Sequence, residues 1–549
     1  MKPWLVLILV LPIAFMACNR KKIVKIERDI TITPKNAVTK LELDSMQMER
    51  YIAGQQLTDS AAQYLRNFYN SRNFQFAWVG EKGLTEQARV FYALNKDYVA
   101  DFQDSSMLDS ALHQKMELLM KQDTIFKKAD SSLASLDLQL TRHFFNYVAN
   151  AYAGKVDPEV IQWHIPRKKL NATLLLDSLM ANKNTKIDDW EPVNQQYKLL
   201  KKELLRYYTL QKKGDLEKIT LGKQKRYKLG DTGLTVRTVR QRFIALGDSS
   251  LSDTLPEFDL ALKTAVKQAQ QQFGYRATGI IDASLIKELN TPVQQRIEKL
   301  LINLERMRWM PAMPAGRRIL VNIPDYQLHV FEDQEIALSM GIVVGKAANK
   351  TVIFSNKLRN IVFSPYWNVP ASIVKAEVLP AMRRNRNYLA SKNMEQTGTS
   401  NGLPQVRQKP GDNNSLGRVK FLFPNTYDIY FHDTPAKSLF AEERRAFSHG
   451  CIRLSQPVKL AEYLLTDQKQ WTPDKIAKAM KSTKEIWVGM KKPVPVFITY
   501  FTAWIDQNGR LNFRDDIYGH DQKMAEQMFL SSTKGLAAKA AAIAQLKSK

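Results

Sequence analysis

The stretch RRILVNIPDYQLHVFED (residues 317–333) alternates apolar and polar side chains on both sides of a central Pro-Asp. A period of two sends successive side chains to opposite faces of a strand, and Pro-Asp is turn chemistry, so the stretch predicts a β-hairpin. The style continues in EIALSMGIVVG (335–345) and LRNIVFSPYWNVP (358–370), which makes residues 316–535 a β-rich domain. Just upstream, RIEKLLINLERMRWM (296–310) repeats apolar residues three and four apart until Pro311 and Pro314 stop it, giving a linker helix over 294–315. Between about residues 370 and 416 the pattern dissolves into MRRNRNYLASKN and QKPGDNNSLG. A connection this long and polar predicts a capping loop.

The amino-terminal half is helical. LDSALHQKMELLMK (108–121) and SLDLQLTRHFFNYVANAY (135–152) have helical spacing, and residues 51–220 form a scaffold. His113, His143 and His164 lie there with no second metal-ligand type at a suitable spacing, so they read as packing or surface residues. Residues 223–293 contain two amphipathic segments around a Gly- and Asp-rich turn and a third short helix. On physics alone this is a small helical bundle. Its Gly230-Asp231-x-Gly233 opening, the Ala265-Val266-x-x-x-Gln270 segment and the Gly279 to Asp282 turn resemble the three-helix peptidoglycan-binding domain attached to wall enzymes. The expected class is α+β, in several domains.

The chain opens MKPWLVLILVLPIAFMAC, with one lysine, an apolar run from Trp4 to Ala17, then Cys18. The run is too short for the ~20 residues a membrane-spanning helix needs, and 1–17 read as a signal peptide. FMAC resembles a lipobox with Phe15 at the position where leucine is commonest, which makes Cys18 the lipidation candidate and 18–50 a tether. The chain holds two cysteines, so lipid on Cys18 leaves Cys451 as a single exported thiol and no internal disulfide. The formal charge of +27 favours polyanions; with an export signal, the expected partners are an anionic wall polymer and lipid headgroups, not nucleic acid. Residues 536–549 form a basic tail.

The chemistry concentrates late in the chain. TYDIYF (426–431) delivers His432 at a strand end, followed by the turn Asp433-Thr434-Pro435, and FSHGCIRL (447–454) presents Cys451 beside Gly450. A thiolate is the reactive form of cysteine, and a neighbouring imidazole is expected to lower the thiol pKa from ~8.5 towards neutrality or below. Gly450 permits close backbone approach, and amides around Gly450 and Cys451 are candidates for holding an oxyanion. Tyr430, two residues before His432, shares its strand face.

Fifteen residues separate His432 from Ser448, and a histidine so spaced from Ser-His-Gly-Cys resembles the L,D-transpeptidase catalytic domain of the YkuD type. NLERMRWMP, PYWNVPASI, SQPVKLAEYLL and PVFITYFTAWID extend the resemblance to the large multidomain Gram-negative members, over roughly residues 55–525. The resemblance implies Cys451 as nucleophile and His432 as general base, with Ser448, His449, Gly450 and Arg453 completing the motif. Arg453 steering a substrate carboxylate, Asp433 orienting the base through its carbonyl or its side chain, and Trp367 with Tyr366 as core aromatics or substrate wall are expectations of the same origin. The implied enzyme makes 3→3 peptidoglycan crosslinks through a Cys451 thioester, needs no cofactor, faces the periplasm as a lipoprotein, and is acylated by carbapenems. Water as acceptor would make it an L,D-carboxypeptidase. Two rivals stay open: a zinc-dependent wall hydrolase using His432, His449 and Cys451, and a non-catalytic peptidoglycan-binding lipoprotein.

Overall fold

The computed structural model describes residues 39–121, 125–168, 170–172, 174–176, 193–214, 216–252 and 255–530. The signal segment, Cys18 and the basic tail fall outside the described residues. The chain divides into one unit reaching residue 96 and including 108–145, and a second built from 97–107 and everything after 146.

The first unit is helical and organised around one buried acid. The Asp137 carboxylate accepts from the amides of Ala77, Trp78 and Val79 at 3.0, 2.8 and 3.1 Å and from the Tyr69 hydroxyl at 2.6 Å. Burial raises its pKa, and these four donors supply the pairing that a buried carboxyl requires. The expected tether is corrected here, because the described chain is folded from residue 39 onward. Leu41 and Leu43 are two apart and both buried, with Glu42 bridging Gln75 between them, and the helix Ser45–Gly54, capped by Asp44, buries Met48 and Ile52.

In the second unit, helices Leu234–Ala245, Leu260–Gln272 and Ala283–Leu289 enclose a separate core around Val236, Phe258, Val266 and Leu285. The linker helix Val293–Trp309 buries every residue from Ile302 to Trp309. Its charged members are therefore paired: Arg308 with Glu305 at 2.7 Å, and Arg306 with Asp521 at 2.6 Å.

Strands Arg317–Asn322 and Gln327–Glu332 form the expected hairpin, with register Asn322↔Gln327 through Arg317↔Glu332. The sheet continues through Glu335–Gly345 on one side and Ile486–Thr499 and Ile353–Phe363 on the other. Val419–Leu422 pairs with both Ile353–Phe363 and Phe431–His432, so the sheet closes on itself. Closure removes free edges and leaves an apolar interior containing Ile319, Val321, Leu328, Ile361 and Phe431.

The capping segment is also corrected. Residues 370–416 are a small folded layer, with short helical turns from Ala371 to Arg384 and at Tyr388–Ser391. Leu403–Gln408 lies between Trp367–Asn368 and Met394–Ser400 in a three-stranded sheet. Val369, Val374, Val378 and Val406 form its own core, with Trp367 and Tyr388 packed against it. These apolar residues stand among polar neighbours on very short elements, so no periodic run announces them.

Candidate active site

Two short strands bring the site together. Phe431–His432 runs parallel to Ile452–Leu454, with His432 opposite Arg453, and the Ile452 amide donates to the Tyr430 carbonyl at 3.2 Å. Asp428 and Tyr430 lie just before the first strand, and Cys451 just before the second.

His432 is buried, and its Nδ1 lies 2.5 Å from the Asp433 carbonyl oxygen. That contact makes Nδ1 the protonated nitrogen and leaves the Nε2 lone pair free for a proton. The Asp433 carboxylate points elsewhere, accepting from the Arg418 amide at 2.9 Å and from Lys437. Of the two ways Asp433 was expected to meet the base, the structure has the carbonyl. Gly417 keeps this corner tight: it has φ +61, and a Cβ there would lie 2.4 Å from the Asp433 carboxyl.

Burial, helped by the Arg453 charge, pushes the His432 imidazole down to about 4. Burial also pushes the Cys451 thiol up to about 11, against the opposing influence of Tyr430 and Arg453. This corrects the expectation of an imidazole-lowered thiol. Desolvation outweighs the neighbours, and the resting pair is neutral thiol and neutral imidazole. The thiol donates to the Asp428 carbonyl at 3.3 Å. Asp428 reaches that place with φ 54, a left-handed conformation that Asp tolerates better than most residues.

Tyr430 has Cys451 and Trp367 as neighbours, and burial first, then the thiol, hold its phenol far above its ordinary range. Its ring centroid lies 5.8 Å from that of His432. Arg453 is part-buried, influences both Cys451 and His432, and its Nε has no partner among the described residues. Trp367 thus touches both the cap core and the site, whereas Tyr366 stacks beneath Arg407 at 4.2 Å.

Ser448 braces the motif turn: its hydroxyl donates to the Cys451 carbonyl at 2.6 Å and accepts from the Gly450 amide at 3.1 Å. The Gly450 amide is therefore committed, which corrects its expected share in holding an oxyanion. The Cys451 amide has no acceptor among the described residues. Gly450 sits at φ +118, which only glycine adopts readily. His449 is half-exposed and turns outward, its Nε2 3.2 Å from Glu377 of the cap. Among the described residues no three His, Cys, Asp or Glu side chains converge as a metal set.

Sequence reasoning missed a buried support behind the turn. Thr351 Oγ1 donates to the Gly450 carbonyl at 2.8 Å and accepts from the Gly345 amide at 2.9 Å; the Tyr518 hydroxyl donates to the Gly345 carbonyl at 2.6 Å. Nothing local marks Thr351 or Tyr518.

Residues 316–520 match the family model for the L,D-transpeptidase catalytic domain, 63–204 the scaffold domain, and 232–289 the "Putative peptidoglycan binding domain". A Haemophilus influenzae protein described as "Putative L,D-transpeptidase" is 34% identical over 243 residues, which cover 41% of this chain and 49% of that protein. The chain thus spans about half the length of this curated relative. Among solved structures, an L,D-transpeptidase from Stackebrandtia nassauensis is 13% identical with TM-score 0.21, covering 51% of this chain and 97% of that one. One from Mycobacterium smegmatis is 14% identical with TM-score 0.19, covering 34% and 61%. At such scores these two structures carry no argument. By its family matches, the chain carries a catalytic domain of the L,D-transpeptidase family, together with a scaffold domain and a peptidoglycan-binding domain.

Proposed function

We propose that this protein is a peptidoglycan L,D-transpeptidase that forms 3→3 crosslinks, with Cys451 as nucleophile and His432 as general base. The supporting observation is the adjacency of two strands that gather Cys451, Tyr430, Arg453 and a His432 held with Nε2 unprotonated. In the first step the thiol gives its proton to Nε2 as sulfur bonds to the carbonyl carbon at the L-centre of diaminopimelate in a tetrapeptide stem. The oxyanion takes hydrogen bonds from the Cys451 amide and from the Tyr430 phenol, which turns to it from the sulfur. Collapse breaks the bond to D-alanine, whose amine leaves with the proton from His432, and a thioester remains. The side-chain amine of a second diaminopimelate then attacks the thioester, its proton passing through His432 back to sulfur. Arg453, with a buried unpartnered Nε, holds a stem carboxylate.

The test is intact-mass spectrometry with a disaccharide-tetrapeptide donor, followed by analysis of the muropeptide products. A thioester adduct lost in Cys451→Ala, with dimeric 3→3 products, is expected; no adduct and no dimer from the wild-type chain refutes the reading. Meropenem treatment is expected to add mass at Cys451. The same reading places the enzyme in the cell envelope, tethered by lipid on Cys18, and a Cys18→Ala chain recovered in the soluble fraction supports the tether.

A further inference from the structure

Away from the thiol, a cleft of about 700 Å³ opens where the three-helix bundle meets the catalytic domain. One wall is the end of helix Leu260–Gln272 with Phe273, Tyr275 and Arg276; the others are the hairpin turn at Pro324–Gln327, the segment 440–445, and the chain around Asp515. The volume falls in the range of small-molecule sites. Four arginines line it (276, 444, 445 and 514), and four acids answer them (Asp325, Glu442, Glu443 and Asp515).

The walls are held by internal pairs. Arg514 is locked to Asp325 at 2.7 Å, and Arg445 donates to the Tyr326 and Ile342 carbonyls at 3.1 Å each. One group is left over. The Tyr326 hydroxyl is buried in a residue only 7% exposed and meets no hydrogen-bond geometry among the described residues. Burial raises its pKa, and the neighbouring Arg444 guanidinium opposes the rise. A buried unpaired hydroxyl is costly, so its survival beside a cleft points to a ligand that pairs with it.

We propose that this cleft is a second peptidoglycan-binding site, formed jointly by the two domains, that takes a zwitterionic sugar-peptide of the muropeptide class. The balanced lining disfavours a polyanion despite the +27 chain, because four carboxylates would repel one. Carboxylates and an amine on one stem peptide match the mixed charge. The cleft is mechanically linked to the site already described. The Arg445 carbonyl accepts from the Val344 amide at 2.9 Å, and the next residues, Ala446–Ser448, form the strand that leads into the motif. Six residues separate Arg444 from Cys451, at most about 25 Å of extended chain, so a polymer seated in the cleft is delivered beside the thiol.

This inference rests on the peptidoglycan reading above. The test uses the full chain carrying Cys451→Ala, titrated with a soluble disaccharide-tetrapeptide containing diaminopimelate and, separately, with inorganic polyphosphate. Amide hydrogen exchange is read at 273–276, 324–327 and 440–445. Protection of these segments by the muropeptide is expected, with affinity falling at least fivefold in Arg444→Glu and measurably in Tyr326→Phe, at unchanged melting temperature. Protection confined to 428–432 and 448–453 and insensitive to both substitutions overturns the cleft site and leaves the catalytic reading standing. Equal protection by polyphosphate overturns the muropeptide assignment. Cleft protection alongside a wild-type chain that never forms a thioester supports the cleft and sinks the catalytic reading instead.

Discussion

Thr351 donates its hydroxyl proton to the Gly450 carbonyl at 2.8 Å, joining a loop far back in the chain to the turn that presents the thiol. The same oxygen accepts from Gly345, so Thr351→Val keeps the shape and orphans two buried backbone groups. A stability loss of about 1–3 kcal/mol is expected in denaturant melts. Turnover number should fall more than KM rises, since the turn and not a substrate contact is disturbed. Unchanged stability would show the bond to be unimportant.

Neutral His432 is the competent base, and its pKa lies near 4. The neutral fraction grows as pH rises through that value, so kcat/KM is lost only as pH falls through about 4, not at the ~6.5 of an ordinary histidine. A pH profile with its acid limb near 6.5 contradicts this.

With the Cys451 thiol pushed up to about 11, iodoacetamide should alkylate it slowly near neutrality and progressively faster as pH approaches that value. Rapid alkylation at neutral pH, followed by peptide mass spectrometry, would reveal a thiolate.

Gly450→Ala forces a side chain onto φ +118, a strain of about 1–3 kcal/mol that moving the turn would relieve. The expected outcome is a folded protein with turnover reduced at least a hundredfold. Near wild-type turnover would mean the turn tolerates another conformation.

The His449–Glu377 pair is 41% and 56% exposed, so solvent screens it. Glu377→Gln should change global stability by less than ~0.5 kcal/mol. Val374→Ala, by contrast, hollows the private core of the cap and should speed limited proteolysis within residues 383–393 about tenfold without lowering the main melting transition.

The hairpin, the linker helix and the three-helix bundle were all legible, because each rests on local periodicity or on a short motif. Thr351 and Tyr518 were not, since their partners at Gly345 and Gly450 meet only after the barrel closes. The valines of the cap were hidden because each stands alone among polar neighbours. Leu41 and Leu43 were lost in a polar run for the same reason. The protonation state of the thiol was misjudged: sequence names its neighbours, but desolvation depends on how closely three dimensions pack around it.

That protonation state bears on how long the protein lasts. Peroxides and foreign disulfides are attacked by thiolates, and among the described residues Cys451 has no second cysteine to resolve it once it is oxidised. With burial holding its thiol up, Cys451 meets oxidants mainly in the protonated, less reactive form.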